Sequence, residues 1–258
     1  MLLRKRLIVA NWKMNPPSLA EARAIFSRVK HVAKGLRKAQ VVICPPLLYL
    51  SDLAARKGSL SLGAQNIFWQ NGGAFTGEVS PEMVRHAGAR YAIVGHSERR
   101  ALGESERDVS RKLLAVLREE LTPILCVGER ERDLEGGYLA VLEAQIRASL
   151  TGVPRRYAGS IIVAYEPVWA IGKSEHEALQ PRGLHEMAIF IRKVLSQIFD
   201  PDTARGIPIL YGGSVGAHNA AEIVSEGAVA GLLVGHTSLD GDDFAAIIRS
   251  VSKLPPLQ

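Results

Sequence analysis

One carboxylate stands out by its placement. Residues 161–165 form an uninterrupted apolar run that delivers Glu166 to its end, and the chain continues through Pro167, Trp169 and Ile171 to Gly172. An acid at a strand end facing an apolar loop can be desolvated, and a desolvated carboxylate is a stronger base. On this segment alone, pairing of Glu166 with a surface arginine stays open.

Other reactive residues follow similar apolar runs. Asn11 and Lys13 come after 7–10, His96 after 91–94, the turn Gly212-Gly213-Ser214 after 207–211, and Gly235 after 231–234. Glycine lets backbone N–H groups approach a ligand closely, and a helix N-terminus adds partial positive charge, so the two turns together suit a phosphate. Either turn alone would be read as a tight connection. His96 sits in Gly95-His96-Ser97-Glu98-Arg99-Arg100, where a strand gives way to a helix. That position disfavours the imidazolium and leaves a neutral ring able to donate to a carbonyl oxygen. A histidine in a turn is usually structural; the company of Lys13 and Glu166 gives this one a chemical reading.

These residues converge only if the elements bring them to one rim. Short, β-branched, non-alternating runs at 7–10, 41–44, 60–64, 91–94, 123–127, 160–165, 207–211 and 231–234 read as eight parallel strands covered on both faces. Helical patterns lie between them. Ser18-Leu19-Ala20-Glu21 and Ser105 with Asp108 have capping-box spacing, and Ser80-Pro81-Glu82 gives an N-cap with proline in the first turn. Further helices are expected near 138–150, 181–198, 217–226 and 241–251. Eight strand-then-helix units predict an α/β fold, a (β/α)8 barrel spanning 1–258 as a single domain. The alternative is an open doubly wound sheet for a dinucleotide, which calls for G-x-G-x-x-G after the first strand, where this chain has Asn11-Trp12-Lys13-Met14-Asn15.

Composition narrows the function classes. The chain has 258 residues, 47% hydrophobic and 22% charged, with no apolar run of membrane-spanning length. The basic start and short apolar run before Asn11 do not resemble a secretory signal, so a cytoplasmic location is expected. Cys44 and Cys126 lack metal or disulfide spacing and read as buried thiols, so neither a disulfide framework nor a metal site is indicated. The net charge of +6 is scattered along helix faces, which argues against nucleic acid and at most draws an anionic substrate into a cleft. The run 129–135 reads as a solvated loop and helix start.

The segments Asn11-Trp12-Lys13-Met14-Asn15, Gly63-Ala64-Gln65-Asn66, Gly72-Gly73-Ala74-Phe75-Thr76-Gly77-Glu78, Gly95-His96-Ser97-Glu98-Arg99-Arg100, Cys126-Val127-Gly128-Glu129, the Glu166 segment and Tyr211-Gly212-Gly213-Ser214-Val215 resemble, in order and spacing, the motifs of the triosephosphate isomerase family. The resemblance covers essentially the whole chain. It implies interconversion of dihydroxyacetone phosphate and glyceraldehyde 3-phosphate without metal or cofactor. Glu166 would then be the base, His96 would move protons between the two oxygens, and Lys13 and Asn11 would stabilise the enediolate. The phosphate would lie against Gly172, Ser214, Gly235 and His236, with Ser97, Glu98 and Tyr211 supporting. Ile171 and Leu233 would close over the carboxylate, with Pro167 stiffening the start of a lid.

Two places depart from the family pattern: 173–178 is changed and about two residues longer, and His236 stands where the family has glycine. The segment 65–78, with Thr76 at its tip, resembles the loop that docks into a second subunit, which implies a homodimer. Two rival readings are an isomerase of a four-carbon ketose phosphate and a non-catalytic phosphate-binding barrel.

Overall fold

The computed structural model describes residues 5–170 and 179–256. Among these, eight strands run parallel and close into a barrel in sequence order: β1 (Arg6–Asn11), β2 (Ala39–Cys44), β3 (Ser61–Ala64), β4 (Tyr91–Val94), β5 (Thr122–Val127), β6 (Ile162–Tyr165), β7 (Ile209–Tyr211) and β8 (Gly231–Val234). β1 closes the ring by pairing with β8, Val9 opposite Leu233. The helices are α1 (Leu19–Ala33), α2 (Leu47–Ala54), α3 (Pro81–His86), α4 (Ser97–Ala101), α5 (Glu106–Arg118), α6 (Gly137–Ser149), α7 (Pro181–Ile198), α8 (Pro201–Gly206), α9 (Ala220–Glu226) and α10 (Gly241–Ser252). None is long and apolar enough to cross a membrane.

Non-alternating strands make sense because both faces are packed. Leu7, Val9, Val42, Ile124, Ile162 and Leu210 form one buried cluster inside the barrel. Their neighbours Ile8, Ala10, Val41, Ile43 and Val163 join the larger core beneath the helices. Cys44 and Cys126 belong to the inner cluster, fully buried and free of disulfides, as their sequence context predicts.

The caps work as their residue types require. Ser105 accepts the Asp108 N–H while the Asp108 carboxylate accepts the Ser105 N–H, a reciprocal pair that opens α5. At α1 half of the expected box forms: Ser18 accepts from the Glu21 N–H, but the Glu21 carboxylate takes the Ser18 hydroxyl, at 2.8 Å, in place of its backbone N–H. Two short helices, α2 and α8, lie outside the sequence expectation. α8 is opened by Asp200, which accepts the N–H groups of Asp202 and Thr203, ahead of Pro201 at the first turn. Its presence shortens the strand expected from residue 207, because Ile207 is still the C-terminal cap of that helix.

Candidate active site

The end of β1 sets the first two groups. Asn11, 5% exposed, turns its Oδ1 back to accept the Lys13 N–H at 3.1 Å. That contact supports Lys13 in a left-handed backbone conformation, φ 53°, uncommon for a residue with a Cβ. The Lys13 ammonium then lies 2.6 Å from Glu98 Oε1. Its stem passes Gly235 so closely that a Cβ there would sit 3.3 Å from Lys13 Cε. The cation and the turn after β8 therefore occupy one neighbourhood.

β4 delivers His96 to the N-cap of α4, where its Nδ1 accepts the Glu98 N–H at 3.2 Å. A nitrogen that accepts carries no proton, so the neutral ring donates from Nε2. Nε2 lies 3.3 Å from Glu166 Oε1. Glu166 is 2% exposed, and its other oxygen accepts the Ser97 N–H at 3.2 Å. Three residues separated widely in the chain thus meet: Lys13 and His96 are joined through Glu98, and His96 and Ser97 hold the Glu166 carboxylate.

The barrel supports the carboxylate from beneath. Cys126, one residue from the end of β5, lies near Glu166, and burial, reinforced by the Glu166 charge, pushes its thiol well above the ordinary range. A Cβ on Gly212 would lie 2.8 Å from Glu166 Cγ, so the glycine makes room for the base. The Gly212 N–H is already given to the Tyr165 carbonyl at 2.8 Å, so it does not face a phosphate. Gly213 is constrained in turn by the Tyr211 phenol, with which an added Cβ would collide. Burial raises the Tyr211 phenol to about 12.

Ser214 follows β7, and Gly235 and His236 follow β8. His236 is exposed and opens a 3-10 turn, His236–Leu239, outside the left-handed region, so its backbone accommodates the Cβ that the family's glycine lacks. Leu233 is buried inside the barrel, two residues before Gly235. Gly172, Ile171 and the altered stretch 173–178 lie outside the described residues. Thr76 is exposed at the tip of its loop, and Phe75 beside it closes a ring cluster with Phe68 and Trp69. Among the described residues no group of three or more His, Cys, Asp or Glu side chains could hold a metal.

Sequence reasoning missed Glu129. Placed in a run that reads as solvated, it is instead 1% exposed. Its Oε1 accepts from the Tyr165 hydroxyl at 2.8 Å, the Trp169 indole at 2.9 Å and Arg132 Nε at 3.0 Å. Its carbonyl accepts the Val168 N–H at 3.0 Å. Glu129 thereby anchors the segment that follows Glu166. The signal was its position two residues beyond β5, on the same rim as the others.

Comparison with known proteins agrees with this geometry. The family model described as triosephosphate isomerase matches residues 6–251. Similar proteins include triosephosphate isomerases from Moorella thermoacetica, 43% identical over 96% of this chain and 99% of the relative, and from Rhodopirellula baltica, 44% identical over 96% and 98%. The enzyme of that name from Dictyoglomus turgidum is 38% identical over 96% of this chain and the whole of its own length. With the closed barrel and the meeting of Lys13, His96 and Glu166, these matches establish that the chain belongs to the triosephosphate isomerase family of aldose–ketose isomerases.

Proposed function

We propose that the chain, acting as one catalytic domain, interconverts dihydroxyacetone phosphate and D-glyceraldehyde 3-phosphate through an enediolate, with Glu166 as the base. The observation that carries this reading is the pairing of a buried carboxylate with an imidazole Nε2–H at 3.3 Å, beside a lysine next to a glycine turn. Without substrate the acid and base satisfy one another. A bound ketose would insert its carbonyl oxygen at Nε2–H, which frees the Glu166 oxygen to take the proton from the adjacent carbon.

The electron pair left by that proton moves to the carbonyl oxygen. His96 donates to the developing oxyanion, and the Lys13 ammonium and Asn11 amide lower its energy; each fixed donor in a dry site is worth ~3 kcal/mol. The ring then relays a proton between the two oxygens, and Glu166 returns its proton to the neighbouring carbon. Lys13 also neutralises part of the phosphate charge, with Ser214, Gly235 and His236 supplying backbone donors and Gly172 another. Exclusion of water by Ile171 and Leu233 would protect the enediolate from losing phosphate.

A second copy of the chain is part of the proposal. The loop carrying Thr76 and Phe75 supplies apolar surface, and Met14, beside the site, is 94% exposed. A homodimer would cover both. The cytoplasm, where triose phosphates are turned over, fits this activity.

The test is a coupled isomerase assay run in both directions, with a four-carbon ketose phosphate in parallel. The proposal expects kcat/KM for the triose to exceed that for the tetrulose. A reversed preference overturns the substrate assignment, and absence of isomerisation with either overturns the catalytic one.

A further inference from the structure

A second basic cavity lies at the opposite end of the barrel, where the strands begin. Its volume is about 500 Å³, and Arg6, Arg192 and Arg205 line it together with Ala228, Ala230, Pro255 and Pro256. No carboxylate is on its wall among the described residues. Arg6 opens β1 and is 8% exposed; its Nη2 donates to the Pro255 carbonyl at 2.9 Å, while its buried Nε meets no acceptor. Arg192 donates to the carbonyls of Ala204 and Arg205 at 2.8 and 3.2 Å, at the end of α8. Arg205 is largely exposed at the rim and pairs with Asp202.

Carbonyl oxygens satisfy guanidinium donors without cancelling the charge. Burial lowers the Arg6 and Arg192 guanidinium values. Closing the end of α8 accounts for Arg192, and tying down residue 255 uses one nitrogen of Arg6. The positive charge that the three arginines bring to one cavity is left without a purpose. A planar guanidinium matches phosphate oxygens, and a cavity of this size holds a small organic molecule.

We propose that this cavity is a second anion site, in which Arg6 and Arg205 grip the phosphate of a small organophosphate and Ala228, Ala230, Pro255 and Pro256 cover its carbon skeleton. Calorimetric titration with inorganic phosphate and with phenyl phosphate tests it, using the intact protein and Lys13→Met, which weakens anion binding at the other rim. In Lys13→Met one saturable site should remain, with phenyl phosphate bound about tenfold more tightly than inorganic phosphate. Arg6→Gln and Arg205→Gln should each weaken that site about tenfold and leave kcat of the otherwise intact protein unchanged. If Arg6→Gln fails to fold, the exposed Arg205→Gln decides. Loss of all saturable binding in Lys13→Met, or binding that Arg205→Gln does not weaken, overturns the site; equal affinity for the two probes overturns the organophosphate and leaves free phosphate as the ligand.

Discussion

Glu166 has little room to move, and that makes its side-chain length the variable to test. Gly212 lies against its Cγ, Ser97 and His96 hold its two oxygens, and Cys126 lies near it in the barrel interior. Glu166→Asp withdraws the carboxylate by one methylene, and kcat is expected to fall about a hundredfold or more with Tm nearly unchanged. Unaltered turnover in steady-state assays would remove Glu166 from the base role. His96→Gln keeps a donor of similar reach but cannot relay a proton, so kcat should also drop about a hundredfold or more while KM moves little. These residues were readable from sequence because the rim rule needs only strand ends, and Asn11, Lys13, His96 and Glu166 all follow one. Gly212 was not readable in the same way. Its lack of a side chain answers to Glu166, a neighbour that only the closed barrel reveals.

At the scale of elements, the same contrast holds between capped helices and the segments that hang from them. α10 opens at Asp240, whose carboxylate accepts the Asp243 and Asp242 N–H groups and is held below the usual range by them, Asp243 first. A lowered folded value means the stabilisation is fully present above the unfolded value and is lost as pH falls through the folded one. Asp240→Ala should therefore lower Tm at neutral pH, and thermal melts of variant and parent should converge in acid. Glu129 acts differently, since three donors converge on one of its oxygens. Glu129→Leu strands them and is expected to cost about 3 kcal/mol in urea unfolding; Trp169→Phe, which removes one contact, about 1 kcal/mol. The long, strongly patterned helices α5, α7 and α10 were legible from periodicity and caps. α2 and α8, at 8 and 6 residues, carry too few turns for a period to show, and Glu129 was hidden by the exposed charges that follow it.

For the whole molecule, closure of eight parallel strands brings residues far apart in the chain to one rim. The strand count and parallel direction followed from unbroken apolar runs, which only a sheet covered on both faces can use. Residues 171–178 could not be treated in this way, because the lid expectation falls outside the described residues. Assembly is tested at this scale. Phe75→Glu would place an unpaired carboxylate in the proposed subunit contact, and sedimentation should show dimer dissociation strengthened about a hundredfold or more, with activity lost in parallel. A variant that sediments like its parent would count against the homodimer.

Cys44 and Cys126 face one another's layer inside the closed ring, fully buried, and burial raises both thiols far above their ordinary range. A thiol-specific dye added to the native protein consequently has nothing to attack until strands part. The rate of its colour change under native conditions would therefore clock barrel opening, and a saturating active-site ligand should slow that clock.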